Sequence, residues 1–188
     1  LGLRQPPSGI SRTMEEARRE AKRIGFPALV RPSFVLGGRA MEICYDDAQF
    51  ERYVAEAFIV ADGQPVLIDR FLEDATEVDV DAIADGTDCV VMGIMEHIEQ
   101  AGVHSGDSSC MLSTDGIAAS MRRRIADTAR SLAKALRVRG LMNLHLAGRD
   151  DELYVIEVNP RASRTVPFVA KATGVAWSHV AARVMMGA

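Results

Sequence analysis

Near its C-terminal end the chain alternates polar and apolar residues twice across a short turn, and no other feature restricts its folding so much. In the first run Asn143 and His145 alternate with Met142, Leu144 and Leu146; in the second, Glu157 and Asn159 alternate with Tyr154, Ile156 and Val158. Successive side chains of a β-strand point to opposite faces, so a slip of one residue exchanges the buried and exposed sets. The register that turns both apolar sets toward a core also gathers Asn143, His145, Glu157 and Asn159 on the other face, beside Arg161 and Arg164. The segment Gly148-Arg149-Asp150-Asp151 supplies the turn. Such a face suits a hard cation held jointly by a few protein ligands and phosphate groups. Arginines next to it suit phosphate oxygens and the charge on a transferring phosphoryl group. The same residues also fit a solvated polar sheet face with a surface ion pair.

The rest of the chain mixes helices with antiparallel hairpins. Thr13 and Glu16 form a capping box ahead of Met14, Ala17, Ala21 and Ile24, which share a helical face ending at Gly25 and Pro27. Ala28-Leu29-Val30 reads as a strand running into Arg31-Pro32-Ser33, with Met41 to Tyr45 returning after Gly37-Gly38. Asp46 and Gln49 cap a second helix through Phe50, Tyr53, Val54 and Ala57, and Pro65 to Phe71 is again a strand. Thr76 to Ala84 alternates strictly, with Val78, Val80 and Ala82 on one side and Glu77, Asp79 and Asp81 on the other, which predicts a half-buried strand. Asp85-Gly86 turns it into a strand from Cys89 to Met95, followed by a polar loop from Glu96 to Ser109. The longest helix is predicted over Ile117 to Leu136, and a final helical stretch, Pro167 to Met186, is broken near Gly174. This order favours an α+β fold over a doubly wound parallel sheet.

Two further segments carry chemistry. Val30 to Arg39 places adjacent glycines after a strand, where backbone N–H groups can approach phosphates, although Gly-Gly between strands is also a plain turn. It matches neither the Walker pattern nor the dinucleotide fingerprint. Glu96 to Ser108 concentrates ligand-type residues, among them His97, Glu99 and His104. Their spacing fits no helix-borne zinc motif, and no cysteine stands near enough in sequence to complete one. The bland reading is a polar loop satisfied by its own hydrogen bonds.

Composition excludes several classes. A net charge of −4 argues against a general nucleic-acid or anionic-membrane surface. No apolar run reaches the roughly 20 residues of a membrane span, and the N-terminus lacks a signal-peptide layout. Cys44, Cys89 and Cys110 are odd in number and scattered, as expected of reduced thiols in a cytoplasmic protein. The 188 residues allow one domain or two joined lobes, and the abrupt start without Met suggests a piece of something longer.

The strings Arg31 to Glu42, Glu96 to Ser109 and Ile156 to Thr165 closely resemble the large subunit of carbamoyl phosphate synthetase, over essentially the whole chain. Gly37-Gly38-Arg39-Ala40-Met41-Glu42 and Glu96-His97-Ile98-Glu99-Gln100-Ala101 resemble its C-terminal, carbamate-phosphorylating unit rather than the bicarbonate-activating one. The resemblance implies an ATP-grasp fold of two α+β lobes, residues 1–71 carrying the phosphate-covering glycine loop and residues 72–188 the metal and phosphate site, with nucleotide between them. It implies that Arg31 contacts ATP phosphates under a mobile Gly37-Gly38 loop. Arg70 to Leu72 would hold adenine, Glu77 the ribose, and Gly102, Val103, His104 and Ser105 would complete the nucleotide pocket. His145, Glu157 and Asn159 fall at positions of ligands for two Mg²⁺ or Mn²⁺ ions, and Arg161 and Arg164 at those of phosphate-binding arginines, with Glu157 joining them in catalysis. Glu77, His97, Glu99, Gln100, Val103 and Ser108 resemble a K⁺ site.

Two residues depart from that pattern. His145 replaces a glutamine, which would tilt metal preference toward Mn²⁺, and Arg70 replaces a histidine. The implied activity is ATP-dependent carbamate phosphorylation within glutamine-dependent carbamoyl phosphate synthesis for pyrimidines and arginine. The implied partners are the remaining domains of the large subunit and a glutaminase small subunit, without which the full reaction is not expected. The competing readings are another ATP-grasp carboxylate ligase and a nucleotide-binding piece inactive by itself.

Overall fold

The structure is a computed structural model that describes residues 1–33, 41–99, 101 and 108–187. It divides into two compact units, Gln5–Glu73 and Asp74–Ala188, the latter joined by Leu1–Arg4.

In the first unit the elements are β1 (Ser8–Ser11), α1 (Met14–Ile24), β2 (Ala28–Pro32), β3 (Glu42–Cys44), α2 (Asp47–Ala61) and β4 (Val66–Arg70). The strands form an antiparallel sheet in the order β1-β4-β2-β3. Both helices start where the caps predict. Thr13 Oγ1 accepts from the Glu16 N–H at 3.2 Å, and the Asp46 carboxylate from the Gln49 N–H at 2.8 Å. The reciprocal half of each box lands one residue earlier than the usual pattern, on the N–H groups of Arg12 and Tyr45. Ala17, Ala21 and Ile24 of α1 and Phe50, Val54 and Ala57 of α2 close a core with Val30, Val66 and Ile68. Strand β1 was not anticipated from sequence. Ser8-Gly9-Ile10-Ser11 is too short to show a period, and its backbone pairing with β4 creates it.

The second unit contains β5 (Thr76–Asp85), β6 (Cys89–His97), β7 (Cys110–Met111), α3 (Ala119–Ala135), β8 (Arg139–Arg149), β9 (Glu152–Asn159), α4 (Val166–Thr173) and α5 (Trp177–Met186). Its antiparallel sheet runs β7-β6-β5-β8-β9. One face, through Val78, Val80, Met142, Leu144 and Leu146, packs on Ile125, Ala129 and Ala133 of α3. At one end of the opposite face, Ile83, Met92 and Met95 are covered by Val166 and Val169 of α4 and Ala181 of α5. The polar residues occupy the remainder of that face. The Asp150-Asp151 turn between β8 and β9 takes two residues at positive φ, 50° and 60°, the primed hairpin geometry that aspartate tolerates.

Three sequence expectations are corrected here. Strand β5 is not half-buried: Glu77, Asp79 and Asp81 are only 9%, 4% and 0% exposed, because the acidic face is covered as well as the apolar one. Glu96 and His97 belong to β6 rather than to a loop, and β7 pairs against them. A bulge in the last hairpin leaves Ile156 unpaired, since Glu157 opposes His145 while Val155 opposes Leu146. Leu153 and Val155 therefore fill the core in place of Tyr154 and Ile156, and Ile156 is exposed.

Candidate functional site

The site is built from the register of three long strands. Asp81, Asn143 and Asn159 lie in one cross-strand row, and Asp79, His145 and Glu157 in the next. Paired residues of neighbouring strands share a face, so the hairpin delivers Asn143, His145, Glu157 and Asn159 together as its alternation predicts. The bulge leaves that set intact, because it falls beyond His145.

Sequence reasoning singled out Glu77 but missed that Asp79 and Asp81 continue an acidic row of β5 beneath them. The Glu77 carboxylate accepts from His145 Nε2 at 2.9 Å. Asp79 accepts from His97 Nε2 at 3.0 Å and from the Asn143 amide at 3.3 Å. His97 Nδ1 stands 3.7 Å from Glu77, and its ring stacks on that of His145 with centroids 5.3 Å apart. Asp81, with no exposed surface, accepts from the Asn143 amide at 3.0 Å, the Ser163 hydroxyl at 2.7 Å and the Thr165 hydroxyl at 2.6 Å. These two hydroxyls tie down the segment that carries Arg161 and Arg164. The strict alternation of Glu77, Asp79 and Asp81 was a usable signal: carboxylates on one strand face beside a second polar strand face require a partner for each.

Charge within this network is balanced by proximity. Burial by itself pushes the His145 imidazole toward neutrality, but its hydrogen bond to Glu77 and the charges of Glu77, Asp79 and Glu157 outweigh it, leaving its pKa raised. Burial raises Asp79, yet its hydrogen bond from His97, the charges of His145 and His97 and the Asn143 amide bring it below the ordinary carboxylate value. Burial, with the charges of Asp79 and Glu99, raises the Cys110 thiol.

Glu157, Arg161 and Arg164 are exposed and Asn159 is half-buried, so these four face outward above the buried network. The Arg161 side chain donates to the neighbouring Ala162 carbonyl and its N–H to the Asn159 carbonyl, and neither arginine forms an ion pair among the described residues. Among the expected K⁺ ligands, Glu77 and His97 are brought together, while Glu99 accepts from the Ser109 N–H at 2.6 Å. Gln100, Gly102, Val103, His104 and Ser105 lie outside the described residues, as do Gly37 and Gly38.

In the first unit, Arg31 Nε donates to Asp69 Oδ2 at 2.6 Å, leaving the guanidinium half-exposed. The Arg70 side chain donates to the Phe26 carbonyl. The N–H groups of Arg70 and Phe71 donate to the carbonyls of Pro7 and Pro27 at 2.7 and 3.0 Å.

Groups that can hold a cation are concentrated on the polar face of the second unit. One ligand atom each from Glu77, His97 and His145 lie within 4.8 Å of one another. A divalent ion at His145, Glu157 and Asn159 fits this arrangement. His145 gives one ring nitrogen to Glu77, the carboxylate–histidine pairing that orients metal-ligating imidazoles, and the other has no partner among the described residues.

The fold is that of ATP-grasp proteins. The biotin carboxylase domain of Hydrogenobacter thermophilus 2-oxoglutarate carboxylase, solved with MgADP and bicarbonate, superposes with a TM-score of 0.83 at 22% identity, covering 100% of this chain and 43% of that one. N5-carboxyaminoimidazole ribonucleotide synthetase from Thermus thermophilus gives 0.80 at 18% identity, over 99% and 49%. Residues 1–188 match the family described as carbamoyl-phosphate synthase L chain, ATP binding domain, and the chain belongs to that family. The carbamoyl phosphate synthase large chain of Rhodopirellula baltica is 71% identical over 191 residues, spanning 100% of this chain and 18% of the relative. That of Archaeoglobus fulgidus is 56% identical over 187 residues, spanning 100% and 17%. The chain thus spans less than a fifth of the length of these relatives.

Proposed function

We propose that this chain binds ATP with a divalent cation and phosphorylates carbamate, giving carbamoyl phosphate and ADP. The observation that carries this reading is the gathering of His145, Glu157 and Asn159 on one face, next to an anchored segment bearing Arg161 and Arg164, in a member of this family. A carbamate oxygen attacks the γ-phosphorus as the bond to the β-phosphate oxygen breaks, so ADP leaves with the electron pair. Arg161 and Arg164, exposed and without carboxylate partners among the described residues, take the charge on the equatorial phosphoryl oxygens. Glu157, Asn159 and His145 would hold two Mg²⁺ or Mn²⁺ ions, which when bound would supply charge neutralisation for the phosphate oxygens. Carbamate is already an anionic nucleophile, so the protein mainly positions the reactants.

On the same reading Arg31, Gly37 and Gly38 contact phosphates, Arg70 and Leu72 the adenine, and Glu77 the ribose. Gly102, Val103, His104 and Ser105 complete the pocket, and K⁺ binds near His97. The large subunit's remaining domains and a glutaminase subunit deliver nitrogen for cytoplasmic pyrimidine and arginine synthesis. The reverse reaction tests the chemistry without those partners: ADP, carbamoyl phosphate and Mg²⁺ should yield ATP, detectable by luciferase. ATP formation that persists undiminished in Glu157→Gln would contradict the role given to that carboxylate.

A further inference from the structure

Sequence spacing offers no cysteine to the histidines of the Glu96–Ser109 segment, but the sheet does. The two-residue strand β7 pairs with the end of β6 so that Cys110 stands directly opposite His97. Residues paired across strands share a face, and on the adjoining strand β5 the Asp79 carboxylate already meets His97 Nε2 at 3.0 Å. Three neighbouring strands thus each give one ligand: a carboxylate oxygen, an imidazole nitrogen and a thiol sulfur, all within 4.8 Å of one another. Asp79 and His97 are buried and Cys110 is half-buried.

We propose that Asp79, His97 and Cys110 form a binding site for a thiophilic divalent cation, of the class of Zn²⁺ and Cd²⁺, separate from the phosphate-linked metal positions at Glu157 and Asn159. Three protein ligands with an open fourth position is an arrangement zinc accepts. Tetrahedral bonding at metal–ligand lengths of 2.0–2.3 Å sets ligand atoms roughly 3.3–3.6 Å apart, so no pair, all being within 4.8 Å, closes by more than about 1.5 Å, while the Asp79–His97 pair at 3.0 Å opens slightly. Side-chain rotation of Cys110 on an edge strand supplies such a change. Binding releases the Cys110 thiol proton, because the cation takes sulfur as its thiolate; the His97 Nε2 proton is also displaced, moving to Nδ1 on the Glu77 side in the neutral ring or to solvent from the protonated one, and no oxidant or reductant takes part. The thiolate also sets the selectivity. Mg²⁺ and K⁺ favour oxygen donors, whereas a sulfur ligand favours Zn²⁺, Cd²⁺ and Co²⁺.

Occupation has a consequence for the neighbouring imidazole. His97 would surrender its bond to Asp79 while still stacked on His145, whose own nitrogen is held by Glu77. The site is therefore placed to let a thiophilic metal disturb His145 without displacing it.

Co²⁺ is the probe, because thiolate coordination gives a near-ultraviolet charge-transfer band and a tetrahedral site gives intense visible bands. The protein with Cys44 and Cys89 both changed to Ser, so that Cys110 is the only thiol, should show both features in the presence of excess Mg²⁺. Cys110→Ser should lose the charge-transfer band, and Asp79→Asn should weaken Co²⁺ at least about tenfold, the loss expected when a metal-binding contact is removed. Circular dichroism establishes that each variant is folded. Absence of the band from the folded single-thiol protein, or an undiminished band in Cys110→Ser, would overturn the assignment.

Discussion

Asp81 offers the sharpest test of how the site is held together. Its carboxylate is fully buried, has no cationic partner among the described residues, and is satisfied by two hydroxyls and an amide at 2.6–3.0 Å. Hydrogen bonds to a charged group contribute about 1.5–3 kcal/mol each. Replacement by Ala removes three, but the Ser163 and Thr165 hydroxyls retain each other at 2.6 Å, and Asn143 retains Asp79. Removing a buried charge also recovers part of its desolvation penalty. The net loss expected for Asp81→Ala is about 3 kcal/mol, and for the isosteric Asp81→Asn, whose hydroxyl partners can turn to donate or accept, about 1–2 kcal/mol. Trp177 is the only tryptophan and lies in the second unit, so urea unfolding followed by its fluorescence reads this unit directly. A loss below about 1 kcal/mol for Asp81→Ala, where a removed charge-assisted bond alone is expected to exceed it, would refute the claim that these hydroxyls anchor the arginine-bearing segment.

The pH dependence of the same unit has a definite sign. His145, with its pKa raised above 6.5, contributes stability that is complete below pH 6.5 and disappears as pH rises through the raised value; His145→Gln should lack that decline in pH-dependent unfolding. Asp79, lowered below 3.8, contributes above pH 3.8 and loses its contribution as pH falls through the lowered value, which Asp79→Asn should abolish on the acid side. In the first unit, burial and then Glu42 and Asp46 push the Cys44 thiol to about 11, so alkylation at neutral pH followed by mass spectrometry should label Cys89 and Cys110 well before Cys44. Gly140→Ala should destabilise the second unit by about 1–3 kcal/mol, because a φ of 109° strains any Cβ and Met185 Cγ would lie 2.9 Å from it.

The parts of this architecture that sequence revealed are those governed by local period and chemistry. Thr13 and Asp46 cap their helices because short oxygen-bearing side chains satisfy N–H groups within the same turn. The alternation through Asn143, His145, Glu157 and Asn159 translated into one face because each paired residue was constrained by a core on the other side. What stayed hidden depends on neighbours distant along the chain. Ile156 looks like a core residue until the bulge removes it. Cys110 becomes His97's neighbour only through a two-residue strand. Glu77, Asp79 and Asp81 read as a solvent face because nothing local announces that histidines, Asn143, Ser163 and Thr165 will cover them.

The most direct test of the central claim is a calorimetric titration of the protein with ADP at saturating Mg²⁺, repeated for Glu157→Gln. Saturable binding by the parent that is lost or greatly weakened in the folded variant is the result this account predicts. Equal binding by both, or none by the folded parent, would contradict the assignment of nucleotide and metal to the face carrying His145, Glu157 and Asn159.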